Sequence, residues 1–494
     1  MSNVVAVPEM LATAATDVAG TASAISAANA ASVDLISSVL PAAGDEVSTA
    51  IAKLLGAYGQ EYQVVAAQAA VFHDQFAQAL AGASGVYAQA EAANATLLSG
   101  PSNALEAITA PIRTLLGQTP VGGDGGSAGT PTSMAQVASA DPLYALIMGG
   151  TGIPDPGPVY VSRVNAAYIQ PSYPGAIPQP VYTPEQFWPW GKLTFGQSVA
   201  EGVTLLNNAI NTTLSDPANS AVVFGYSQSS TVATNEISAL MALGSPDQDR
   251  LSFILTANPN NPNGGILARL PGFYIPILDV PFNGATPPNT PYPTTIYTAQ
   301  YDGIANAPQY PLNVVSDLNA FMGLFYIHGQ YPDFTSTQVA NAVPLPTSPG
   351  YTGNTEYYMI LTQNLPLLQP IRDIPFIGPP IADIFQPNLR VLVDMGYSSY
   401  GPGLSYANVP TPAGLFSVPN PFTIIPYLAL GTVQGPQAAL VDIGLLPQSY
   451  TPNAYPYLPS INPGVNFFLG QPTVTVLSVL GGAIGDVLEL IPPA

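Results

Sequence analysis

The chain contains no cysteine among its 494 residues, and it is unusually poor in charge. Without cysteine there are no disulfides, no thiolate metal ligands and no cysteine nucleophile, although an exported protein can equally do without cysteine. Only 7% of the residues are charged, against about a quarter in typical soluble proteins. The 8 Lys and Arg stand against 29 Asp and Glu, which gives a net charge of −21. Such a surface repels phosphate backbones and anionic lipid, so the composition argues against nucleic acid as a partner.

A secretory leader and a long apolar run are also lacking. The first twenty residues have no basic region and carry Glu9 and Asp17, so they do not fit a Sec signal peptide. The most apolar late run, residues 473–485, is short and interrupted by glycine, and Asp486 follows it. We therefore expect a soluble protein without a transmembrane segment.

Residues 1–100 are rich in alanine, and apolar residues recur there at helical spacing. Segment 40–48 supplies a proline, a glycine and acidic residues, and it predicts the break between two long antiparallel helices. Because the core of this hairpin would consist mostly of small side chains, we expect it to need a partner helix pair. The glycine-rich segment 121–133 indicates a flexible linker, assigned to residues 101–140.

Beyond residue 140 short apolar runs with β-branched residues alternate with helical stretches. The predicted strands lie in the runs 143–153, 221–226, 251–259 and 294–302. Helical patterns occupy 196–214 and 311–325, and a third follows the second predicted strand. This alternation implies parallel βαβ units, so we predict an α/β fold with a mostly parallel central sheet over residues 141–390. Residues 391–494 are rich in proline and tyrosine, and we interpret them as an extension that caps the domain or completes its sheet.

The segment "FGYSQSS" places Ser227 at a sharp turn between a predicted strand and a predicted helix. Gly225 and Ser229 put small residues two positions before and after this serine, as a nucleophile elbow requires. The last position is usually glycine, so Ser229 departs from the common pattern. In the functional interpretation Ser227 is a nucleophile and the backbone N–H of Gln228 faces the oxyanion. The alternative is an ordinary βα turn.

A serine nucleophile needs a base, and the chain has two histidines. His73 lies in the alanine-rich region, so His328 is the imidazole available to the α/β region, unless it is merely a packed core residue. Asp302 follows a predicted strand and could orient the imidazole, although an Asp-Gly turn explains it as well. The chain order Ser227, Asp302, His328 is that of an α/β-hydrolase triad.

Two other acids, Asp317 and Asp333, are weaker candidates, since solvation or helix capping explains them better. The glycine-rich segment 148–157 also follows a predicted strand. Its N–H groups at Gly150 and Thr151 could complete an oxyanion hole, although a plain glycine turn is an equally good reading. Two distant histidines and no cysteine make a poor transition-metal site, so neither a metal nor another cofactor is expected.

The first hundred residues resemble the N-terminal domain of the mycobacterial PE family. The likeness is carried by Pro8-Glu9, the alanine-rich hairpin and the segment "VYAQAEAANATLL" at 86–98. Tyr87 and Glu91 match the Y-x-x-x-[D/E] element that this family uses as a type VII secretion signal. The resemblance implies export by type VII secretion to the cell envelope, surface or medium. Proteins of this family typically pair with a PPE protein and pass through a secretion chaperone, and export as a homodimer is the alternative for this chain.

Residues from about 143 to 390 resemble the PE-PPE domain, an α/β-hydrolase module near cutinases and lipolytic serine hydrolases. The matching segments are "MGGTGIPDP", "GYSQSSTVA", "YDGIANAPQYPLN" and "HGQY". The family pattern accepts serine at the position of Ser229. By this resemblance Ser227, Asp302 and His328 correspond to the catalytic triad.

The leading hypothesis is therefore a secreted serine esterase or lipase that cleaves fatty acyl esters through an acyl-serine intermediate. The apolar and aromatic content of the region suits acyl chains better than charged substrates. One alternative is an acyltransferase that uses the same triad to move acyl groups onto an envelope glycolipid. Another is a non-enzymatic surface or partner-binding protein.

Overall fold

The computed structural model describes residues 8–38, isolated positions between 40 and 81, and residues 141–493. The chain divides into two compact units, Met1–Ser133 and Met134–Ala494. In the first unit helix α1 spans Pro8–Ser37 and buries Ala15 and Ala22, which lie two turns apart on one face. The break predicted at 40–48 lies mostly outside the described residues, and the linker predicted at 101–140 lies wholly outside them.

The second unit is built around a seven-stranded sheet and a separate two-stranded hairpin. The strands are β1 (Leu143–Ile147), β2 (Ile177–Pro180), β3 (Ser220–Tyr226), β4 (Leu251–Thr256), β5 (Tyr274–Ile275), β6 (Val280–Pro281), β7 (Thr294–Ala299), β8 (Val343–Pro344) and β9 (Thr355–Ile360). The order in the sheet is β2-β1-β3-β4-β7-β9-β8. All neighbours are parallel except β8 and β9, and β5 pairs with β6 in the antiparallel hairpin.

Ten helices follow in the described part of the second unit. They are α2 (Pro158–Val164), α3 (Phe195–Leu214), α4 (Gln228–Ala242), α5 (Ile266–Arg269), α6 (Val314–Tyr326), α7 (Ser336–Ala340), α8 (Gln369–Arg372), α9 (Gly378–Asp394), α10 (Pro421–Asp442) and α11 (Val476–Leu488). A turn of 3-10 helix, His328–Asp333, comes just after α6. None of the helices among the described residues is long and apolar enough to cross a membrane.

The sheet is buried on both faces, which explains why its central strands are continuous apolar runs. Successive side chains of β3 enter different cores: Val223 packs in one cluster with Phe253, and Phe224 packs in the other with Ile254. The predicted α/β fold with a mostly parallel central sheet is confirmed. Strands β1, β4 and β7 fall within the predicted apolar runs, and β3 begins one residue before its predicted run.

Residues 391–494 contribute no strand to the seven-stranded sheet, because all seven of its strands in the described chain lie between residues 143 and 360. This stretch instead forms the end of α9 and helices α10 and α11. Helix α11 packs against the segment before the β5–β6 hairpin through glycines. A Cβ at Gly485 would lie 1.8 Å from the carbonyl oxygen of Gly272, so this approach requires glycine.

Candidate active site

Ser227 occupies a strained turn between β3 and α4. Its φ of 57° and ψ of −117° are rarely adopted by a residue with a side chain, and such strain collects at functional sites. A Cβ at Gly225 would lie 3.0 Å from the carbonyl oxygen of Ser229, so strand and helix can meet here because position 225 is glycine. The hydroxyl of Ser229 accepts from the N–H of Tyr226 at 2.8 Å and donates to its carbonyl oxygen at 3.1 Å. A serine at position 229 therefore fastens the turn.

The side chains of Ser227, His328 and Asp302 form a continuous hydrogen-bonded chain. The hydroxyl oxygen of Ser227 lies 2.7 Å from Nε2 of His328, and Nδ1 of His328 lies 2.9 and 3.0 Å from the two carboxylate oxygens of Asp302. The Asp302 side chain is fully buried, and the His328 side chain is 12% exposed. Because Ser227 follows β3 and Asp302 follows β7, both lie at the carboxyl edge of the parallel sheet.

Tyr331, which the sequence analysis did not single out, holds the Asp302 carboxylate from its other side. Its hydroxyl donates to Oδ2 of Asp302 at 2.8 Å and accepts from the N–H of Ala299 at 2.7 Å. The N–H of Ile304 donates to Oδ1 at 2.9 Å. Tyr331 lies three residues after His328 in the 3-10 turn, a spacing that places both side chains on one side of the turn. The segment "HGQY" is the signal that could have identified it.

Tyr226 supports His328 from the strand side. Its hydroxyl donates to the carbonyl oxygen of His328 at 2.8 Å, and the two rings stack with their centroids 6.0 Å apart. Burial, reinforced by the charge of Asp302, raises the pKa of Tyr226 well above its usual value, so this hydroxyl remains a donor.

The glycine-rich loop after β1 also reaches the candidate site. Thr151 and Gln228 line one cavity together with Ser227 and His328. Within the described residues, the backbone N–H groups of Thr151 and Gln228 donate to no protein acceptor. Gly150 lies behind them, and a Cβ there would be 2.8 Å from the ring of Tyr226.

The cavity beside Ser227 has a volume of about 350 Å³ and apolar walls. The hairpin region 275–282 forms one wall, and the first turns of α3 and α5 and the end of α6 contribute to the others. Its apolar lining residues are Phe187, Phe195, Pro259, Ile266, Leu267, Ile275, Leu278, Val280, Phe282, Ile304 and Leu324. No Lys, Arg, Asp or Glu of the described chain lines it.

The two other candidate acids, Asp317 and Asp333, form no hydrogen bond with His328. Asp317 sits in the first turn of α6, and burial raises its pKa to about 6. Asp333 is half exposed and pairs with Arg163.

No cluster of three potential metal ligands occurs in the part of the chain that the structure describes. His73, Tyr87 and Glu91 lie outside the described residues.

Among solved structures, the chain is similar to a cutinase-like protein from Cryptococcus sp., with a TM-score of 0.26 and 22% identity over 34% of this chain and 81% of the other. It is also similar to the catalytic core domain of an acetyl xylan esterase from Trichoderma reesei. There the TM-score is 0.26 and the identity 17%, over 39% of this chain and 93% of the other.

Sequence comparison gives closer relatives. Residues 4–94 match the PE family and residues 174–398 match the PE-PPE domain. Esterase PE16 of Mycobacterium tuberculosis is 44% identical over 89% of this chain and 77% of its own length. The PPE family protein PPE28 of that organism is 46% identical over 62% of this chain and 47% of its own length. PE family protein PE3, also from Mycobacterium tuberculosis, is 56% identical over the whole of both chains. The chain therefore belongs to the PE family and carries a PE-PPE domain.

Proposed function

We propose that the second unit is a serine hydrolase of carboxylic esters, with Ser227 as the nucleophile, His328 as the general base and Asp302 as the group that orients the imidazole. The observation that carries this proposal is the unbroken chain of hydrogen bonds from the Ser227 hydroxyl through His328 to the buried Asp302 carboxylate. The 44% identity to a protein named Esterase PE16 adds support.

In the proposed reaction, Nε2 of His328 takes the proton of Ser227 as its oxygen attacks the ester carbonyl carbon. The negative charge that develops on the carbonyl oxygen is stabilised by the free N–H groups of Gln228 and Thr151. The tetrahedral intermediate then collapses, His328 returns the proton to the leaving alcohol, and Ser227 is left acylated. Water, deprotonated by the same imidazole, releases the acid. Asp302 stabilises the imidazolium that forms in each half.

The cavity favours an uncharged acyl group over a charged substrate. Its walls are mostly apolar and carry no Lys, Arg, Asp or Glu of the described chain, so a carboxylate or an ammonium group there would lose its hydration without a charged partner. A volume of about 350 Å³ lies at the lower end of the roughly 300–1,000 Å³ of small-molecule sites. We therefore propose short- to medium-chain fatty acyl esters as the substrate class.

The decisive experiment compares Ser227→Ala with Ser238→Ala, a control on the exposed side of the same helix. Purified protein is treated with a fluorophosphonate probe and assayed with p-nitrophenyl acyl esters. Ser227→Ala is expected to lose both labelling and hydrolysis while its circular dichroism is unchanged, and Ser238→Ala to keep both. Labelling of Ser227→Ala at the wild-type rate would remove Ser227 from the proposed role.

We propose that residues 1–100 direct the chain through type VII secretion to the cell envelope or surface, in complex with a PPE protein and a secretion chaperone. Membership of the PE family supports this. Replacing Tyr87 by alanine is expected to keep the protein inside the cell, and unchanged export of that variant would contradict the assignment of Tyr87 and Glu91.

A further inference from the structure

Glu185 is a buried acid that the proposed mechanism does not use. Its residue is 2% exposed, and its φ of 46° lies in the left-handed region, which a residue with a long side chain rarely adopts. Such a conformation costs of order 1–3 kcal/mol and persists where the surroundings fix it. Glu185 therefore combines a strained backbone with burial next to the candidate active site, which suggests a functional role.

The backbone at Glu185 joins the two sides of the proposed oxyanion hole. Its carbonyl oxygen accepts from the N–H of Gly152 at 2.8 Å, next to Thr151 in the loop after β1. The next carbonyl oxygen, that of Gln186, accepts from the side-chain amide of Gln228 at 2.9 Å. Gly152, the neighbour of Thr151, and the side chain of Gln228 are thus both bonded to a single dipeptide. A rearrangement at Glu185 therefore moves both donors.

The carboxyl group of Glu185 has the surroundings of a neutral acid. Its Oε1 accepts from the hydroxyl of Thr183 at 2.7 Å, whereas its Oε2 has no partner among the described residues. No Lys or Arg of the described chain forms an ion pair with it. The titratable neighbour on which its charge acts is Tyr160 of α2, whose hydroxyl donates to the carbonyl oxygen of Met148 at 3.0 Å. A carboxylate left with so few partners would be costly, so the neutral form fits this site.

We propose that Glu185, in its neutral form, is a positioning residue that holds the oxyanion-hole donors of Thr151 and Gln228, and that its ionisation disables the site. This inference rests on the proposed esterase function. It concerns the regulation of that site by pH.

The direction of the pH effect follows from the burial of the acid. Burial raises the pKa of Glu185 from 4.5 to about 8, so the group stays protonated through neutral pH and ionises above pH 8. The charge then appears in a poorly hydrated interior, on the side chain of the residue whose carbonyl oxygen bonds the loop after β1, and like charges repel strongly in such surroundings. It also draws water or a donor towards Oε2, which displaces the strained backbone. Activity is therefore lost as the pH rises through about 8.

The test is the pH dependence of kcat/KM for p-nitrophenyl butyrate, with the spontaneous hydrolysis subtracted. For the wild type we expect a fall of about tenfold between neutral pH and pH 9, because each unit above the pKa removes a factor of about ten in the protonated fraction. Glu185→Gln keeps the shape and the acceptor for Thr183 but cannot ionise, so this fall should disappear. A fall that persists in Glu185→Gln would overturn the proposal.

Glu236→Gln is the matched control. Glu236 is also buried, burial also raises its pKa, and its Oε1 accepts from Asn207. It lies eight residues beyond Gln228 along α4, about 12 Å at the rise of an α-helix. Glu236→Gln should retain the alkaline fall, and a loss of the fall in both variants would contradict the assignment to Glu185.

A second variant covers the case in which Glu185→Gln fails to fold. The hydroxyl of Thr183 lowers the pKa of Glu185, so Thr183→Val should move the alkaline fall to higher pH. An unmoved fall would refute the inference. Fluorophosphonate labelling at pH 7 distinguishes failure of the esterase proposal from failure of the positioning role. A wild type that is not labelled would contradict the esterase proposal. A labelled wild type whose alkaline fall in kcat/KM is unchanged in the Glu185 and Thr183 variants would contradict only the positioning role.

Discussion

The hydroxyl of Tyr331 is the most informative atom to remove, because it joins the backbone of β7 to the Asp302 carboxylate. Tyr331→Phe deletes this oxygen and keeps the ring, which packs 6.0 Å from the ring of Tyr226. The carbonyl oxygen of residue 331 keeps its bond from the hydroxyl of Tyr168. The substitution therefore tests the hydroxyl of Tyr331 alone, without changing the packing of its ring.

The expected loss can be worked from the two hydrogen bonds. A hydrogen bond to a charged group contributes about 1.5–3 kcal/mol, and a buried N–H left without a partner costs about 1–3 kcal/mol. Tyr331→Phe loses the hydrogen bond to the Asp302 carboxylate and leaves the N–H of Ala299 without a partner, so the free energy of unfolding should fall by about 3 kcal/mol. Asp302 retains the donor Ile304 and its contact with His328, so catalysis should weaken but persist. We expect kcat/KM to fall about tenfold, which corresponds to about 1.4 kcal/mol.

The assay pairs chemical denaturation with ester hydrolysis and with the rate of fluorophosphonate labelling. Tyr292→Phe is the control, since Tyr292 is equally buried and donates to the carbonyl oxygen of Pro246 at 2.7 Å. It precedes β7, at the edge of the sheet opposite Ser227. It should lose about 1 kcal/mol of stability and no activity.

Two results would refute the reasoning on Tyr331. If Tyr331→Phe is destabilised but keeps the wild-type kcat/KM, the hydroxyl is structural and does not act through Asp302. If Tyr292→Phe loses activity to the same degree, the effect of either change is a general loosening of the fold. A labelling rate that falls less than kcat/KM would place the effect after the attack of Ser227.

Three further predictions address the loop, the cavity and the buried acid. Gly150→Ala places a Cβ 2.8 Å from the Tyr226 ring, so kcat/KM should fall at least tenfold, whereas Gly157→Ala meets open space and should not change it. Val280→Phe fills part of the acyl cavity, so in a series of p-nitrophenyl esters the preferred chain should shorten while acetate is still cleaved; an unchanged preference would contradict the assigned cavity. Glu185→Gln should gain stability over the wild type as the pH rises from 5 to 8, by up to about 1.4 kcal/mol per pH unit, because Glu185 ionises at a pKa near 4.5 in the unfolded wild type and near 8 in the folded protein. Chemical denaturation of both proteins at pH 5 and pH 8 measures this difference, and a difference in stability that does not change with pH would contradict the prediction.

The sequence predicted the centre of the sheet better than its edges. Strands β3 and β4 are buried on both faces, so they appear as apolar runs that periodicity detects. Strand β2 consists of Ile177–Pro180, with two prolines and exposed side chains, and was not predicted. Such a strand exists because β1 supplies the pairing, and that information is absent from the local pattern.

The candidate site shows the same division. The sequence singled out Ser227, Asp302 and His328 because each residue type is rare or placed at a recognisable turn, and the structure places their side chains within hydrogen-bonding distance. Their catalytic roles remain predictions. Tyr331 and Glu185 were not found, since tyrosines are frequent in this chain and an isolated glutamate has no motif. What distinguishes them is their contacts.

The positions of the two proposed oxyanion donors show why tertiary contacts must be known to identify such residues. Thr151 and Gln228 are 77 residues apart in the chain, and neither can fix the other through its own helix or strand. The carbonyl oxygen of Glu185 bonds Gly152 beside Thr151, and that of Gln186 bonds the side chain of Gln228. The separation of the donors therefore depends on a dipeptide that does not line the cavity. Oxyanion stabilisation requires donors that are in place before the charge forms. It follows that substitutions that displace this dipeptide should lower the rate of attack more than the affinity for the acyl chain, because other residues form the walls of the cavity. The isosteric Glu185→Gln should instead keep the wild-type rate at neutral pH.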